Sequence, residues 1–199
     1  MKIFINRLIL FLIFFDFIFQ SAWGLISPFF AIFIVQKIEG GNLVTLGLAL
    51  AIFWIFKSLF QPLISYWTDR TKSEKDDFLV LFLGSFLISF VPLGYLWAKN
   101  IFHIFALELV RALAMASIVP LWSGFFTRHI DKGWESFSWS LDSTVIGLTF
   151  GFSALFGGAM ANLFGFSLVF LIVSFLSFLA TFSLLLVKKE LRKNFQYDQ

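Results

Sequence analysis

Residues 101–127 read IFHIFALELVRALAMASIVPLWSGFFT. A helix crossing hydrocarbon needs about 20 mostly apolar residues, and this run is longer than that. Its apolar residues form a continuous run instead of recurring at one-face spacing, so a soluble core helix with a polar side is a poor description. Inside the run stand Glu108 and Arg111, two charges that each cost on the order of 2.5–3.5 kcal/mol at mid-helix on insertion scales. A long apolar run with embedded charge fits a polytopic membrane protein better than a simple anchor.

Working outward, five more stretches have the same character. With the first they make six spans: Leu8–Val35, Leu43–Ile64, Phe78–Ala98, Ile101–Thr127, Phe137–Phe164 and Phe166–Val187. The last two are separated by a short turn at Asn162–Gly165. Backbone polar groups must be satisfied internally in a bilayer, and no period-2 alternation favours a barrel, so the spans are helices. The expected organisation is a six-span bundle over residues 1–187 and a charged cytoplasmic tail over 188–199. The N-terminus could pass for a signal peptide, with Lys2 and Arg7 ahead of an apolar core. Asp16 interrupts that core and the run continues to Val35, too long for a signal sequence.

Composition agrees. Of 199 residues, 59% are hydrophobic, 14% are charged and 31 are Phe, with mean hydropathy +0.90. Soluble domains run near a quarter charged, so a soluble enzyme, a disordered chain and a nucleic-acid-binding domain are disfavoured. There is no Cys, hence no disulfide, iron–sulfur ligand or thiol nucleophile. The two His, His103 and His129, lie near opposite ends of one span and cannot share a metal. No cofactor or metal is implied. An intramembrane serine protease is also disfavoured, because Ser123-Gly124 lacks the preceding motif and no His follows His129.

Charge sidedness sets the orientation. Eleven of the fifteen Lys and Arg fall on one side of the spans: Lys2, Arg7, Arg70, Lys72, Lys75, Arg128, Lys132, Lys188, Lys189, Arg192 and Lys193. Lys37 and Lys99 fall on the other, and Lys57 and Arg111 lie within spans. The positive-inside rule then places both termini in the cytoplasm. The expected location is a bacterial-type plasma membrane, with the lipid bilayer as the surrounding partner and no nucleic acid.

Five ionisable residues fall within spans: Asp16, Lys57, Glu108, Arg111 and Asp142. They should face the bundle interior, a wet cavity or one another, either as structural ion pairs or lining a substrate or proton path. At 1.5 Å per residue, Asp16 lies about 12 Å from the near end of span one and Lys57 about 11 Å from the same side in span two, which makes them a candidate pair. Glu108 and Arg111 share a helix face at i, i+3. Asp142 comes within reach of Arg111 if spans four and five are neighbours. Arg keeps its proton, so the carboxyls Asp16, Glu108 and Asp142 are the groups that could titrate.

Spans one and four also overlay. Asp16 is followed twelve residues later by Pro28, and Glu108 twelve residues later by Pro120. The two spans run in opposite directions, as the first helices of two inverted three-helix repeats do, and interruptions at matching places point toward a binding site. Pro62 and Pro92 mark bends or span ends. In span five, Gly147-xxx-Gly151 and Gly157-Gly158 through Ala161 allow close helix approach.

Between spans two and three lies Ser65-Tyr66-Trp67-Thr68-Asp69-Arg70-Thr71-Lys72. It resembles the loop signature G-x-L-a-D-R-x-G-R-R of the major facilitator superfamily. Asp69 and Arg70 match; Ser65, Lys72 and Ser73 depart from the two Gly and the first paired basic residue. Arg111, set between Leu107 and Ala112, is similar to the family's embedded Arg, and Phe156-Gly157-Gly158 resembles its fifth-helix G-P-x-x-G-G, with Ser153-Ala154 in place of Gly-Pro. The resemblance covers the chain but only the N-terminal half of a usual twelve-helix member.

What the resemblance implies is an all-α membrane protein of six helices in two inverted three-helix repeats. It implies secondary transport of a small solute by alternating access. Asp16, Gln20, Lys57, Glu108, Arg111 and Asp142 would serve as substrate or coupling residues, and Asp69 and Arg70 as a cytoplasmic latch. Both termini on one side allow two copies about a twofold axis to recreate twelve helices; a separately encoded second half is the other assembly. A non-transporting scaffold or an inactive remnant is the competing reading. Two acidic groups against one basic among Asp16, Glu108 and Arg111 lean toward a cationic or proton-coupled substrate.

Overall fold

In the computed structural model, residues 5–71 and 73–197 are described, with side chains for 5–71 and 73–191. Lys2 and Lys72 of the charge count lie outside the described residues, as do the side chains of Arg192 and Lys193. The apolar runs become helices α1 (Arg7–Ile26), α2 (Phe30–Lys37), α3 (Leu43–Thr71), α4 (Glu74–Trp97), α5 (Ile101–His129), α6 (Glu135–Phe164) and α7 (Phe166–Tyr197). Six of them are long and apolar enough to cross a membrane. The chain is an integral, multi-pass membrane protein.

Helix ends follow local chemistry. The Asn6 side chain caps α1 by accepting from the Leu8 N–H at 3.0 Å. Asn100 and His103 form a reciprocal capping box at the start of α5, which satisfies donors that would otherwise be orphaned. Glu74, Asp76 and Asp77 occupy the first turn of α4, where negative charge suits the helix dipole. Gly165, at φ +81°, forms the break between α6 and α7, a conformation an L side chain rarely adopts; the turn expected over Asn162–Gly165 shrinks to this residue.

The prolines do not act alike. Span one breaks at Pro28 into α1 and α2, whereas Pro120 lies inside a continuous α5. The interruption expected at matching places therefore occurs in one repeat only. Pro62 and Pro92 are also interior, to α3 and α4, so neither ends a span. Residues 65–71, expected as a loop, form the last turns of α3. Hydroxyls on those turns donate to carbonyls below them: Ser65 to Gln61 at 2.9 Å and Thr71 to Thr68 at 2.8 Å. The tail likewise continues α7 to Tyr197 instead of leaving the bundle at Val187.

Packing partners reveal the repeat. Helix α1 packs on α6 and α7, α5 packs on α3 and α4, and α4 packs on α7. Exchanging the first three spans for the last three turns α1–α6 into α5–α3 and α1–α7 into α5–α4, and leaves α4–α7 as itself. Corresponding spans run in opposite directions, as an inverted repeat requires. Serine and threonine hold α4 to α7: Ser174 Oγ donates to the Ser89 carbonyl at 2.8 Å, and the Ser89 and Thr181 hydroxyls lie 3.3 Å apart. Interhelical bonds of this kind average about 0.6 kcal/mol in a membrane.

The two ends of the bundle are tied separately. At the N-terminal end, the Asn6 N–H donates to Asp131 Oδ2 at 3.0 Å, and Arg128 bonds Asp77 at 2.7 Å and meets Glu74 at 3.6 Å. At the other end, the Glu39 N–H donates to the Lys99 carbonyl at 2.8 Å.

The glycines of α6 divide. A Cβ at Gly157 would strike the Leu25 carbonyl of α1, and one at Gly24 would lie 2.9 Å from Ser153 Cβ. This is where α1 and α6 cross closely. Among the described residues, a Cβ at Gly147, Gly151 or Gly158 would have nothing within 4 Å, so the helix packing expected at them is not formed there. The reason is azimuth: Gly147, Gly151 and Gly158 fall on a stripe turned away from α1.

Candidate functional site

The charged residues of the spans gather in two layers. The deeper layer centres on Glu108, which is fully buried. Tyr95 Oη–H on α4 donates to Glu108 Oε1 at 2.6 Å, and Arg111 Nη1 donates to Oε2 at 2.9 Å. The i, i+3 spacing on α5 thus forms its ion pair. Arg111 keeps 23% of its side chain exposed. Its guanidinium lies 4.9 Å from the Trp23 ring centre on α1 and 4.2 Å from that of Phe53 on α3.

Lys57 belongs to this layer too. Its ammonium sits 4.7 Å from the Trp54 ring and 5.9 Å from the Phe53 ring, the same ring that lies 4.2 Å from the Arg111 guanidinium. The Asp16–Lys57 pair expected from matching depth is not formed. Depth sets the height of a residue and not its direction; α3 packs on α5, and its Phe53 ring meets Arg111.

The second layer is Asp16 and Asp142, 8% and 3% exposed, on the packed helices α1 and α6. Asp142 Oδ1 is buried and has no partner among the described residues. The expected Asp142–Arg111 contact is also absent. Trp139, one turn before Asp142, meets Trp122 and Phe126 of α5 at 6.1 and 4.6 Å. Arg111 is eleven residues from Trp122, about 16 Å along the helix. Gln20, one turn beyond Asp16, is half-buried between the layers.

Asp69 and Arg70 are exposed on the last turn of α3. Arg70 lies 4.6 Å from the ring of Tyr66 on its own helix. Among the described residues neither makes an ion pair; the ties between α4 and α5 at this end come from Arg128 with Asp77 and Glu74. No cluster of three potential metal-ligating side chains occurs among the described residues.

Sequence reasoning missed Tyr95 and Phe53, whereas the depth of Trp23 and Trp54 in their spans marks them as candidate cavity-lining residues. A signal existed for Tyr95, since a phenol in an apolar span needs an acceptor. None existed for Phe53, which reaches Arg111 from another helix.

These features define a six-span, inverted-repeat helical membrane fold with charge set within its first, second, fourth and fifth spans. The profile of the Major Facilitator Superfamily matches residues 10–196, and the chain belongs to that family. It is similar in fold to the crystal structure of the POT family transporter PepTSo, at 19% identity and TM-score 0.66, covering 92% of this chain and 38% of that one. It is similarly related to an auto-inhibited POT family peptide transporter, at 17% identity and TM-score 0.69, covering 92% and 37%. The chain thus spans little more than a third of the solved structures it matches. No curated protein matches it.

Proposed function

We propose that this chain is one six-helix half of a secondary transporter that moves a small solute by alternating access, working as a homodimer. Both termini lie in the cytoplasm, by the positive-inside rule. The observation that carries the reading is a pair of under-packed helices beside buried charge. Helices α3 and α6 bury the least of the six spans, and they flank the layers containing Lys57, Arg111, Asp16 and Asp142. Gly147, Gly151 and Gly158 stand open on α6, together with exposed Leu148, Phe152 and Leu155. A second copy about a twofold axis along the membrane normal covers that face and closes a cavity at the midplane.

In this reading Asp16 and Asp142 carry the coupling proton, since no cation pairs with either among the described residues. Glu108 is held by Arg111 and Tyr95 and keeps the fold. Asp69 and Arg70, exposed at the cytoplasmic end of α3, latch one half to the other in one state. The chemistry is transport and not catalysis. The test is uptake into proteoliposomes containing this chain alone, driven by an imposed pH gradient. Asp16→Asn should abolish gradient-driven accumulation while exchange across equal pH persists. Accumulation by Asp16→Asn equal to the unsubstituted chain removes the coupling assignment.

A further inference from the structure

Lys57, Arg111, Trp23 and Phe53 come from three helices and meet at one place. The guanidinium of Arg111 lies against two rings, Trp23 at 4.9 Å and Phe53 at 4.2 Å. An Arg carries five N–H donors, and here one is bonded to Glu108 at 2.9 Å. The Trp23 Nε1–H is buried and has no partner among the described residues. Lys57 forms no salt bridge among them and rests over the Trp54 ring at 4.7 Å. Glu108 balances one of the two cations, leaving one positive charge, free guanidinium donors and an unpaired indole N–H in an apolar wall.

We propose that this cluster is the binding site for the anionic group of the transported solute, a small organic monoanion of carboxylate type. One leftover positive charge calls for one negative charge, which favours a carboxylate over a doubly charged phosphate ester. The arginine fork accepts a carboxylate in two parallel hydrogen bonds, Lys57 supplies a second charge-assisted contact, and the Trp23 Nε1–H finds its acceptor. The rings of Phe53 and Trp54 suit an apolar or aromatic body. Counting only Asp16, Glu108 and Arg111 leans toward a cationic or proton-coupled substrate. That count treated Glu108 as free and omitted Lys57. The proton carried by Asp16 and Asp142 would then accompany an acid.

The inference rests on the transport reading only in treating the bound anion as cargo. The test uses the full chain in lipid nanodiscs with three probes of one shape: benzoate, benzyl alcohol and benzylammonium. Benzoate should raise the thermal unfolding midpoint in a saturable way, and the other two should not. Lys57→Gln should weaken benzoate binding about tenfold or more, the usual consequence of losing a hydrogen bond to a charged group. Lys57→Arg should retain it, and Trp23→Phe, which keeps the ring but loses the donor, should weaken it severalfold. Equal or better binding of benzylammonium overturns the proposal, as does unchanged benzoate binding in both Lys57→Gln and Trp23→Phe. If Lys57→Gln splits a dimer without changing benzoate binding, Lys57 pairs with the second copy and the proposal also fails. Anion binding without any uptake rejects the transport reading and keeps the site. Uptake competed by ammonium probes and not by carboxylates keeps the transport reading and rejects the site.

Discussion

Removing the Glu108 charge should destabilise the bundle, and removing Arg111 as well should restore part of the loss. Glu108 is fully buried and holds two partners, Tyr95 at 2.6 Å and Arg111 at 2.9 Å. Breaking a buried pair by removing one member typically costs about 3–5 kcal/mol, because the survivor is an uncompensated charge. Arg111 keeps 23% of its side chain exposed and stacks on two rings, which lowers the expected cost of Glu108→Gln to about 2–3 kcal/mol. In that variant Tyr95 can still donate to the amide oxygen. Tyr95→Phe alone should cost about 0.6 kcal/mol and no more than about 1.7, the measured range for one interhelical hydrogen bond in a membrane protein. The double variant Glu108→Gln with Arg111→Gln leaves no buried charge at this point and should be more stable than Glu108→Gln alone. The assay is reversible unfolding of the purified protein in mixed micelles titrated with dodecyl sulfate, read by tryptophan fluorescence. A double variant destabilised by the full sum of its single substitutions would refute the reasoning, since two residues acting as one pair cannot add independently.

Other consequences follow from the same contacts. Gly157→Val should prevent the close crossing of α1 and α6 and lower the yield of folded protein, because its Cβ would strike the Leu25 backbone. Gly147→Val has nothing within 4 Å of its Cβ among the described residues, so its unfolding midpoint should stay near wild type in the same titration while dimer formation, read by size-exclusion chromatography with light scattering, falls. Arg128→Gln should cost about 1–3 kcal/mol in the same unfolding titration, since Arg128 is 41% exposed but its partner Asp77 is only 7% exposed and would lose its cation. Arg70→Ala and Asp69→Asn should lower uptake several-fold without lowering the amount of protein in the membrane, measured by quantitative blotting; wild-type uptake in both would remove the latch assignment.

The sequence and the structure agree where one dimension suffices. Apolar length located the six crossing helices, and i, i+3 spacing placed Glu108 against Arg111. They part where direction around a helix axis matters. Asp16 and Lys57 have similar depth, yet α1 packs on α6 and α3 on α5, so the two face different neighbours. The glycines of α6 all read as packing residues, and only Gly157 faces α1. Local helix continuity was similarly hidden. Pro28 breaks its span while Pro62, Pro92 and Pro120 do not, because proline in a membrane helix is tolerated wherever neighbouring groups satisfy the freed backbone. Tyr95 is separated from Glu108 by a turn between spans, and no spacing rule joins residues across such a turn.

The central claim is that two copies of this half assemble into the working unit. Native mass spectrometry of the protein released from nanodiscs measures it directly. A species at twice 22.9 kDa that survives dilution, and that Gly147→Val reduces to single chains, is the result expected here. A stable single chain at every concentration would contradict the homodimer, and a stoichiometric second polypeptide of different mass would identify a separately encoded half in its place.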